Sequence, residues 1–224
     1  MITAVVMAYN EAESLEHVVR EIAAELGRAG GQHEILVVDD GSTDGTAEIA
    51  DRLSATPGVR IVHHHPNQGL GGVYRTGFAE ARGDFVTFYP ADGQFPATII
   101  TQMLPLMAEV DMVLGFLPNR DSSVLAKVLS AGERVLYALL FGAMPKFQGI
   151  LMFRRSLLGE FELQSTGRGW AVLMELIIRV ARSGRRVVSV PTTMRPRMSG
   201  VSKVNNVRTI AANFRQMVTL REYL

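Results

Sequence analysis

Several features that would mark particular protein classes are missing from this sequence. It contains no cysteine, which excludes disulfide bonds, zinc–thiolate sites and thiol catalysis. Lysine and arginine nearly balance aspartate and glutamate, and a net charge of +1 leaves no global field that would attract nucleic acid. The sequence therefore predicts neither a disulfide-stabilised secreted domain nor a nucleic-acid-binding protein.

Little in the sequence points to export or to a membrane span. The best uncharged apolar stretch, residues 135–145, is far shorter than the roughly 20 residues needed to cross a bilayer. The N-terminus, MITAVVMAYN, has the pattern of a strand and lacks the basic and apolar regions of a signal peptide. We therefore predict a cytoplasmic location and leave open a peripheral contact at the inner face of the membrane.

What the sequence does contain is a long alternation of strand and helix patterns. Of its 224 residues, 47% are hydrophobic and 20% are charged, values typical of a globular protein. Apolar runs rich in valine and isoleucine, of the kind buried on both faces in parallel sheets, and amphipathic stretches alternate along the first half. The predicted strands are residues 2–8, 35–39, 59–63 and 85–89, and the predicted helices between them are residues 15–26, 46–53 and 72–81.

The second half of the chain is less regular. Its predicted strands are residues 112–114, 150–153 and 186–190, and its predicted helices are residues 124–141, 170–183 and about 206–220. No internal repeat or low-complexity linker interrupts the chain. We predict a single α/β domain, residues 1–224, whose ligands bind beyond the carboxyl ends of the strands.

A strongly polar turn follows the second predicted strand. The segment EILVVDDGSTDGT, residues 34–46, ends its apolar run in Asp39 and Asp40. Carboxylates at this position can accept hydrogen bonds from a base or from ribose hydroxyls, and the N–H groups of the next helix suit a phosphate. A turn in which Asp and Ser only cap the helix fits the pattern equally well.

The first and third strands end in further candidate segments. In AYNEAESL, residues 8–15, Tyr9 and Glu11 follow the first strand, at the sheet edge where Asp40 is expected. The simpler interpretation is a helix cap, with Asn10 and Glu13 forming a capping box. The glycine-rich NQGLGGVYRTG, residues 67–77, lacks the spacing of a P-loop or dinucleotide fingerprint, and a tight packing turn is an equal alternative.

The fourth strand ends in VTFYPADGQFP, residues 86–96. An apolar run stops at Pro90 and brings Asp92 and Gln94 beyond the end of a buried strand. A carboxylate and an amide at that place are oxygen donors for a hard cation. Pro90 stands two residues before Asp92, where a second carboxylate would have completed a pair.

Together these segments resemble the family 2 glycosyltransferases with the GT-A fold. Their order and spacing match the family's motifs densely over residues 1–100, and the sequence looks closest to the branch of dolichyl-phosphate mannose synthases and related polyprenyl-phosphate sugar transferases. Weaker matches follow in FQGILMFRR, GRGWAVLMELIIRVARSGRRVVSVP and RMSGVSK, residues 147–155, 167–191 and 197–203. The last of these resembles the branch's Arg-x-x-Gly-x-Ser-Lys pattern.

The resemblance implies a three-layer Rossmann-like sandwich with a mostly parallel central sheet. Residues 1–100 would form the half that binds the nucleotide sugar, and residues 101–224 would form the acceptor half. Asp92 and Gln94 match the second and third ligands of a D-x-D-x-Q motif for Mg²⁺ or Mn²⁺. The residues implied on the nucleotide side are Tyr9, Glu11, Asp39, Asp40, Gly69 and Ser202, and the residues implied in catalysis are Asp92, Arg197 and Lys203.

Three positions depart from the family pattern. Pro90 replaces the first aspartate of the metal motif and has no side-chain ligand to offer, so a weakened metal site is one alternative. Pro145 replaces an acidic residue that many polyprenyl-phosphate relatives have four residues before Gly149. A phosphate acceptor is already a nucleophile, whereas a hydroxyl acceptor needs a general base, so this loss favours a phosphate acceptor. Ala8 replaces a proline, a minor change.

Other charged or aromatic residues are weaker candidates. The run His63–His65 closes a strand and is more typical of structure than of a metal site, while Trp170 and Glu175 are either acceptor-side or core residues. Arginines and amphipathic helices could face a lipid, although a solvated charge or a core face is the more common role. These are Arg120, Arg134, Arg154 and Arg155, residues 124–141, and the last helix with Arg208 and Arg215.

We therefore predict an inverting glycosyltransferase that moves a sugar from a nucleotide-diphospho-sugar to a polyprenyl phosphate. The nucleoside contacts do not distinguish GDP-mannose from UDP-glucose, and the sequence leaves the oligomeric state open. Two alternatives remain at this stage. One is a nucleotide-sugar-binding protein with weak or no transferase activity, and the other is a soluble transferase that acts on a hydroxyl of a sugar or small metabolite.

Overall fold

A seven-stranded sheet runs through the protein. The computed structural model describes residues 1–118, 141–142, 144–198 and 218–221. The strand order is β3-β2-β1-β4-β6-β5-β7, and β6 pairs antiparallel with both of its neighbours while the other pairings are parallel. The strands are β1 (Ile2–Ala8), β2 (His33–Asp39), β3 (Val59–His63), β4 (Phe85–Pro90), β5 (Met112–Phe116), β6 (Leu151–Arg154) and β7 (Val187–Pro191).

Helices cover both faces of this sheet and give the predicted three-layer sandwich. They are α1 (Leu15–Ala29), α2 (Thr46–Leu53), α3 (Gly69–Glu80), α4 (Thr98–Met103) and α5 (Ala171–Arg182), with 3₁₀ turns at Leu104–Ala108 and Arg155–Gly159. The helices α1, α2 and α4 share one apolar core with one face of the sheet. The helices α3 and α5 share the other core, so strands such as β2 bury both faces, as their continuous apolar runs predicted.

The apolar stripe of α1 behaves as the sequence predicted, but its N-terminal cap does not. Leu15, Ile22 and Leu26 are buried in the first core, which fixes the helix against the sheet. The N-cap residue is Ser14, and no side chain caps the helix. The predicted capping box is wrong because Asn10 has a left-handed backbone (φ 53°) and bonds to the neighbouring loop.

Two of the predicted helices cannot be compared with the structure over most of their length. The region 124–140 and residues 206–217 lie outside the described residues, and only Phe141 and the short helical turn 218–220 are described. The helix α4 was not predicted. Its six residues are too few to show a helical period by themselves, and burial of Ile99, Ile100 and Met103 stabilises it.

The connectivity places a crevice between β1 and β4. The chain runs outward from β1 to β2 and β3 and then returns to the other side of β1 to form β4. The strand order therefore reverses between β1 and β4, and ligands bind at such a point in open α/β sheets. Among the described residues no helix has the length and apolar character needed to cross a membrane.

Candidate nucleotide and cation site at the carboxyl edge of the sheet

The loops after β1 and β2 are tied to one another at the carboxyl edge. The N–H of Asn10 donates to Ser42 Oγ at 2.9 Å, and the N–H of Thr43 donates to Asn10 Oδ1 at 2.8 Å. The N–H of Glu11 donates to Thr46 Oγ1 at 2.8 Å. These bonds hold Glu11 beyond the end of β1, where Tyr9 is 39% exposed.

The two aspartates that end β2 are buried and serve as acceptors for neighbouring loops. Asp39 Oδ1 accepts from the N–H of Ser42 at 3.1 Å, and Asp39 Oδ2 lies 2.9 Å from His63 Nδ1. Asp40 is 3% exposed. These contacts place Asp39 and Asp40 at the predicted edge, while their predicted contact with a nucleoside stays a prediction.

Asp40 organises the glycine-rich turn that follows β3. Its carboxylate accepts from the N–H groups of Gln68 and Gly69, each at 2.8 Å. His64 Nδ1 lies 2.7 Å from Asp40 Oδ1, and His64 Nε2 lies 2.7 Å from Thr76 Oγ1 on α3. A buried carboxylate that accepts two backbone N–H groups holds a turn firmly.

The histidine run, which the sequence predicted to be structural and not a metal site, supports both aspartates. His63 lies between Asp39 and Asp51, with Nε2 3.1 Å from Asp51 Oδ1. Burial lowers the pKa of His63, but the hydrogen bonds to Asp39 and Asp51 outweigh it and raise the pKa above its usual value. The signal that could have revealed this contact was the strand register, because β2 and β3 are parallel neighbours in which Asp39 pairs with His63.

A loop from the second half of the chain packs directly on the same turn. Arg168 donates to Asn67 O at 2.9 Å and to Asn67 Oδ1 at 2.5 Å, and its own carbonyl accepts from the N–H of Gly71 at 2.8 Å. A Cβ at Gly69 would lie 2.6 Å from Arg168 O, and one at Gly71 would lie 2.1 Å from Gly167 O. Glycine is required here by this close approach, which sequence reasoning did not foresee.

Glu175 holds that packing loop in place. It is 0% exposed, and its carboxylate accepts from the N–H groups of Gln164 and Ser165 and from Arg179 Nε. Burial raises the pKa of Glu175, but these hydrogen bonds dominate and lower it below the usual value. Trp170 packs with Phe141 in a small core, so the structure favours supporting roles for both candidates.

The tip of β4 forms the second part of the site. Asp92 is 8% exposed, and its Oδ1 accepts from the N–H of Gln94 at 3.0 Å. Arg197 donates through Nη1 to Asp92 Oδ2 at 3.0 Å and through Nη2 to Glu11 Oε1. Asp92, Glu11 and Arg197, predicted from three separate motifs, therefore meet at the crevice between β1 and β4.

The remaining predicted residues divide between this edge and other places. Gly149, four residues after Pro145, packs on Phe95 near the β4 tip. Arg154 and Arg155 donate to Met107 O and Gly83 O near the opposite end of β4. Ser202, Lys203, Arg120, Arg134, Arg208 and Arg215 lie outside the described residues.

The donor atoms at the β4 tip fit a divalent cation that takes further ligands from its surroundings. No group of three or more His, Cys, Asp or Glu side chains suited to a metal occurs among the described residues. Asp92 and Glu11 offer carboxylate oxygens and Gln94 an amide oxygen, the ligand types that suit Mg²⁺ or Mn²⁺ bound together with diphosphate oxygens and water. A cation, the Arg197 guanidinium, already lies between the two carboxylates.

Comparison with known proteins defines the class of this chain. Residues 3–160 match the model of glycosyl transferase family 2, and the chain belongs to that family. This confirms the resemblance on which the predicted class and fold depended.

Curated relatives include enzymes of the predicted branch. The chain is 30% identical to dolichol-phosphate mannosyltransferase of Pyrococcus furiosus, over 99% of this chain and 64% of that protein. It is 29% identical to undecaprenyl-phosphate mannosyltransferase of Micrococcus luteus, over 90% of this chain and 86% of that protein. It is 31% identical to polyprenol monophosphomannose synthase of Mycolicibacterium smegmatis, over 94% and 83%.

Solved structures confirm the fold. Mannosyl-3-phosphoglycerate synthase from Rubrobacter xylanophilus has a TM-score of 0.75 at 22% identity, over 100% of this chain and 74% of that chain. Glucosyl-3-phosphoglycerate synthase from Mycobacterium tuberculosis, in complex with Mn²⁺, uridine diphosphate and phosphoglyceric acid, has a TM-score of 0.70 at 20% identity, over 97% and 78%. At these identities the likeness establishes the fold alone.

Proposed function

We propose that this protein transfers a sugar from a nucleoside-diphosphate sugar to a polyprenyl phosphate, with inversion at the anomeric carbon. The three curated relatives support the acceptor, because each is named for mannosyl transfer to a dolichyl or polyprenyl carrier. Mannose is accordingly the first sugar to test, and GDP and UDP are both candidate nucleotides. The chain spans 64% of the length of the first of these relatives.

The observation that carries this proposal is the meeting of Glu11, Asp92 and Arg197 beyond the carboxyl ends of β1 and β4. Acid and base side chains at a topological switch point provide both the cation ligands and the positive charge that a diphosphate needs. On the nucleoside side, Tyr9 offers a stacking surface and the Asp39–Asp40 turn offers hydrogen-bonding groups. Gly69 presents backbone close to the same place.

The carboxylates of this site favour a phosphate acceptor over a hydroxyl acceptor, because each already has a partner within the protein. Asp39 and Asp40 are occupied by neighbouring loops, and Glu11 and Asp92 are paired with Arg197. Pro145 supplies no acid. A phosphate monoester is largely ionised at neutral pH and needs no general base, unlike a hydroxyl acceptor.

The proposed reaction is a single displacement. An oxygen of the acceptor phosphate attacks the anomeric carbon and forms the new C–O bond as the bond to the nucleoside diphosphate breaks. The electron pair of the broken bond remains on the diphosphate, and no proton has to move. Arg197, together with Lys203 and Ser202, would hold the phosphates and stabilise the negative charge of the leaving group.

The proposed reaction uses a divalent cation, Mg²⁺ or Mn²⁺. Asp92 and Gln94 would hold it, and when bound it would supply positive charge to the departing diphosphate. Because Pro90 offers no ligand, we expect fewer protein ligands than in a two-aspartate motif and more water and diphosphate oxygens.

Contact with a membrane surface follows from a lipid-linked acceptor. Met194 and Met198, in the segment that crosses the β4 tip, are 42% and 48% exposed. Apolar side chains beside a phosphate site are suited to the first isoprene units of a polyprenyl phosphate. Sedimentation with vesicles that contain polyprenyl phosphate, compared with vesicles that lack it, would measure this contact.

A binding protein without transferase activity is the second candidate function. The observation that favours it is Pro90, which lies in β4 paired with Met7 and removes one carboxylate of the usual metal motif. Such a protein would bind the nucleotide sugar but would not turn it over.

One transfer assay separates these functions. The protein is incubated with Mn²⁺, polyprenyl phosphate in detergent, and radiolabelled GDP-mannose or UDP-glucose, and the products are then extracted into organic solvent. We expect label in the organic phase with one donor and none when the unphosphorylated polyprenol replaces the acceptor. Donor binding by calorimetry without any transfer would establish the binding protein instead, and label only in water-soluble products would indicate a soluble acceptor.

A further inference from the structure

Arg197 is already paired with both carboxylates of the candidate cation site. Its Nη1 donates to Asp92 Oδ2 at 3.0 Å, and its Nη2 donates to Glu11 Oε1. Glu11 and Asp92 are each 8% exposed, and the Arg197 side chain is 17% exposed. Because both carboxylates are buried, solvent screens the repulsion between them only weakly, and they need a cation beside them.

In this arrangement neither residue is in the role that the family resemblance implies. Asp92 is implied as a metal ligand and Arg197 as a phosphate-binding cation, yet here the two are bonded to each other. Asp92 Oδ2 accepts from the guanidinium and Asp92 Oδ1 accepts from the N–H of Gln94, so a metal at Asp92 competes with these partners. Glu11, in the loop that follows the neighbouring strand β1, provides at this point the second carboxylate that Pro90 does not.

The backbone that carries Arg197 is anchored independently of its side chain. The N–H of Arg195 donates to Gln94 O at 2.7 Å, and the N–H of Met198 donates to Asp92 O at 3.2 Å. The Met198 side chain packs on Gly93 so closely that a Cβ there would lie 2.4 Å from its sulfur. The guanidinium can therefore change partners while the segment stays attached to the Asp92–Gln94 turn.

We propose that Arg197 is an internal counter-cation that a divalent metal ion must displace from Glu11 and Asp92 and that then pairs with the diphosphate of the donor. The exchange keeps the carboxylates neutralised at every stage, since one cation replaces another. It also couples the two ligands, because the diphosphate offers the displaced guanidinium an anionic partner. The pairing of Arg197 with the diphosphate rests on the proposed function, whereas its displacement by a metal ion does not.

The test measures Mn²⁺ binding to the nucleotide-free protein, from the electron paramagnetic resonance signal of unbound Mn²⁺. Arg197→Gln removes the charge but keeps a polar side chain. We expect it to bind Mn²⁺ about tenfold more tightly than the wild type, equivalent to about 1.4 kcal/mol, because the metal no longer competes with the guanidinium. In the presence of Mn²⁺, the same variant should bind GDP or UDP about tenfold more weakly.

Arg195→Gln is the matched control. Arg195 lies two residues earlier in the same segment and pairs with Glu21, so the variant removes the same charge without touching Glu11 or Asp92. We expect both affinities within about twofold of the wild type. Equal tightening in the two variants would indicate a general charge effect and would overturn the exchange.

An Mn²⁺ affinity of Arg197→Gln equal to or weaker than that of the wild type also overturns the proposal. If that variant does not fold, Arg197→Lys replaces it, because lysine keeps the charge but cannot bond both carboxylates as a planar fork. Some tightening of Mn²⁺ binding is still expected for this variant, and the absence of any tightening would count against the exchange. If the wild type binds neither nucleotide while the Mn²⁺ result holds, the proposed function fails and the displacement of Arg197 by metal stands.

Discussion

At the scale of single residues, the buried polar groups of this protein mostly hold loops. Asp40 accepts two backbone N–H groups of the glycine-rich turn and also contacts His64. A side chain of this kind shapes the site even where it does not touch the ligand. Its removal is expected to affect stability and nucleotide binding together, since the turn and the proposed nucleoside site depend on the same carboxylate.

Asp40→Ala should therefore destabilise the protein by about 1–3 kcal/mol, the cost of leaving buried N–H groups without an acceptor. Nucleotide affinity should fall as well, because the turn at Gly69 loses its anchor. Urea unfolding and calorimetry measure the two effects. Glu13→Ala is the control, since Glu13 is an exposed carboxylate outside the Asp40 contacts, and equal unfolding free energies for the two variants would contradict the anchoring role.

His63 makes a pH-dependent contribution to stability. The folded protein raises its pKa above the usual 6.5, so folding favours the protonated form. The extra stability is fully present below the unfolded-state pKa and is lost as the pH rises through the folded-state pKa. The unfolding free energy of the wild type minus that of His63→Gln should fall as the pH is raised from 6 toward 8, and a difference independent of pH would contradict this assignment.

At the scale of elements, the start of α3 is fixed by a loop that lies about a hundred residues later in the chain. Arg168 and Gly167 contact the turn that contains Asn67, Gly69 and Gly71. Glu175 on α5 holds the same loop by its backbone. The first and second halves of the chain therefore meet at the glycine-rich turn, and a change on one side of this contact is expected to affect the other side.

Gly71→Ala tests this contact. The new methyl group would lie 2.1 Å from Gly167 O, so the loop must move, at a cost of about 1–3 kcal/mol for overpacking. Gly27→Ala is the control, because Gly27 lies in α1 with nothing within 4 Å of the added carbon. That change should stabilise the protein by about 0.5–1 kcal/mol, the helix preference for alanine, and urea unfolding of both variants would reveal the opposite signs.

At the scale of the whole molecule, a single sheet joins the two halves. The strands β5, β6 and β7 of the second half continue the sheet through the pairing of β6 with β4. Arg197, from the second half, reaches Glu11 and Asp92 in the first. Such a molecule is expected to unfold as one unit.

Two probes of unfolding test that expectation. Trp170, the one tryptophan, reports on the second half by fluorescence, while far-ultraviolet circular dichroism reports on the whole chain. Both should give the same urea midpoint, and GDP or UDP with Mn²⁺ should raise both together because the ligand binds only the folded state. Separate midpoints would show that residues 1–224 do not act as a single domain.

The strand and helix pattern was predictable because it depends on the periodicity of residues that are close together in the sequence. The strands β1 and β3 begin and end where their apolar runs do, and α2 spans its predicted residues. The motifs at the strand ends also fixed which side chains would reach the carboxyl edge, since parallel strands end on the same side. The family resemblance added the roles that composition and periodicity do not contain.

The sequence by itself determined the fold class, the family and the presence of Asp92, Glu11 and Arg197 as candidates, because each depends on short motifs in a fixed order. Only the tertiary structure decided that Arg197 bridges Asp92, 105 residues earlier, and Glu11, 186 residues earlier. It likewise decided that Asp40 and the histidines anchor turns. The physical reason is that the partner of a buried charge depends on which loops the sheet brings together, and that is set by packing over the whole chain.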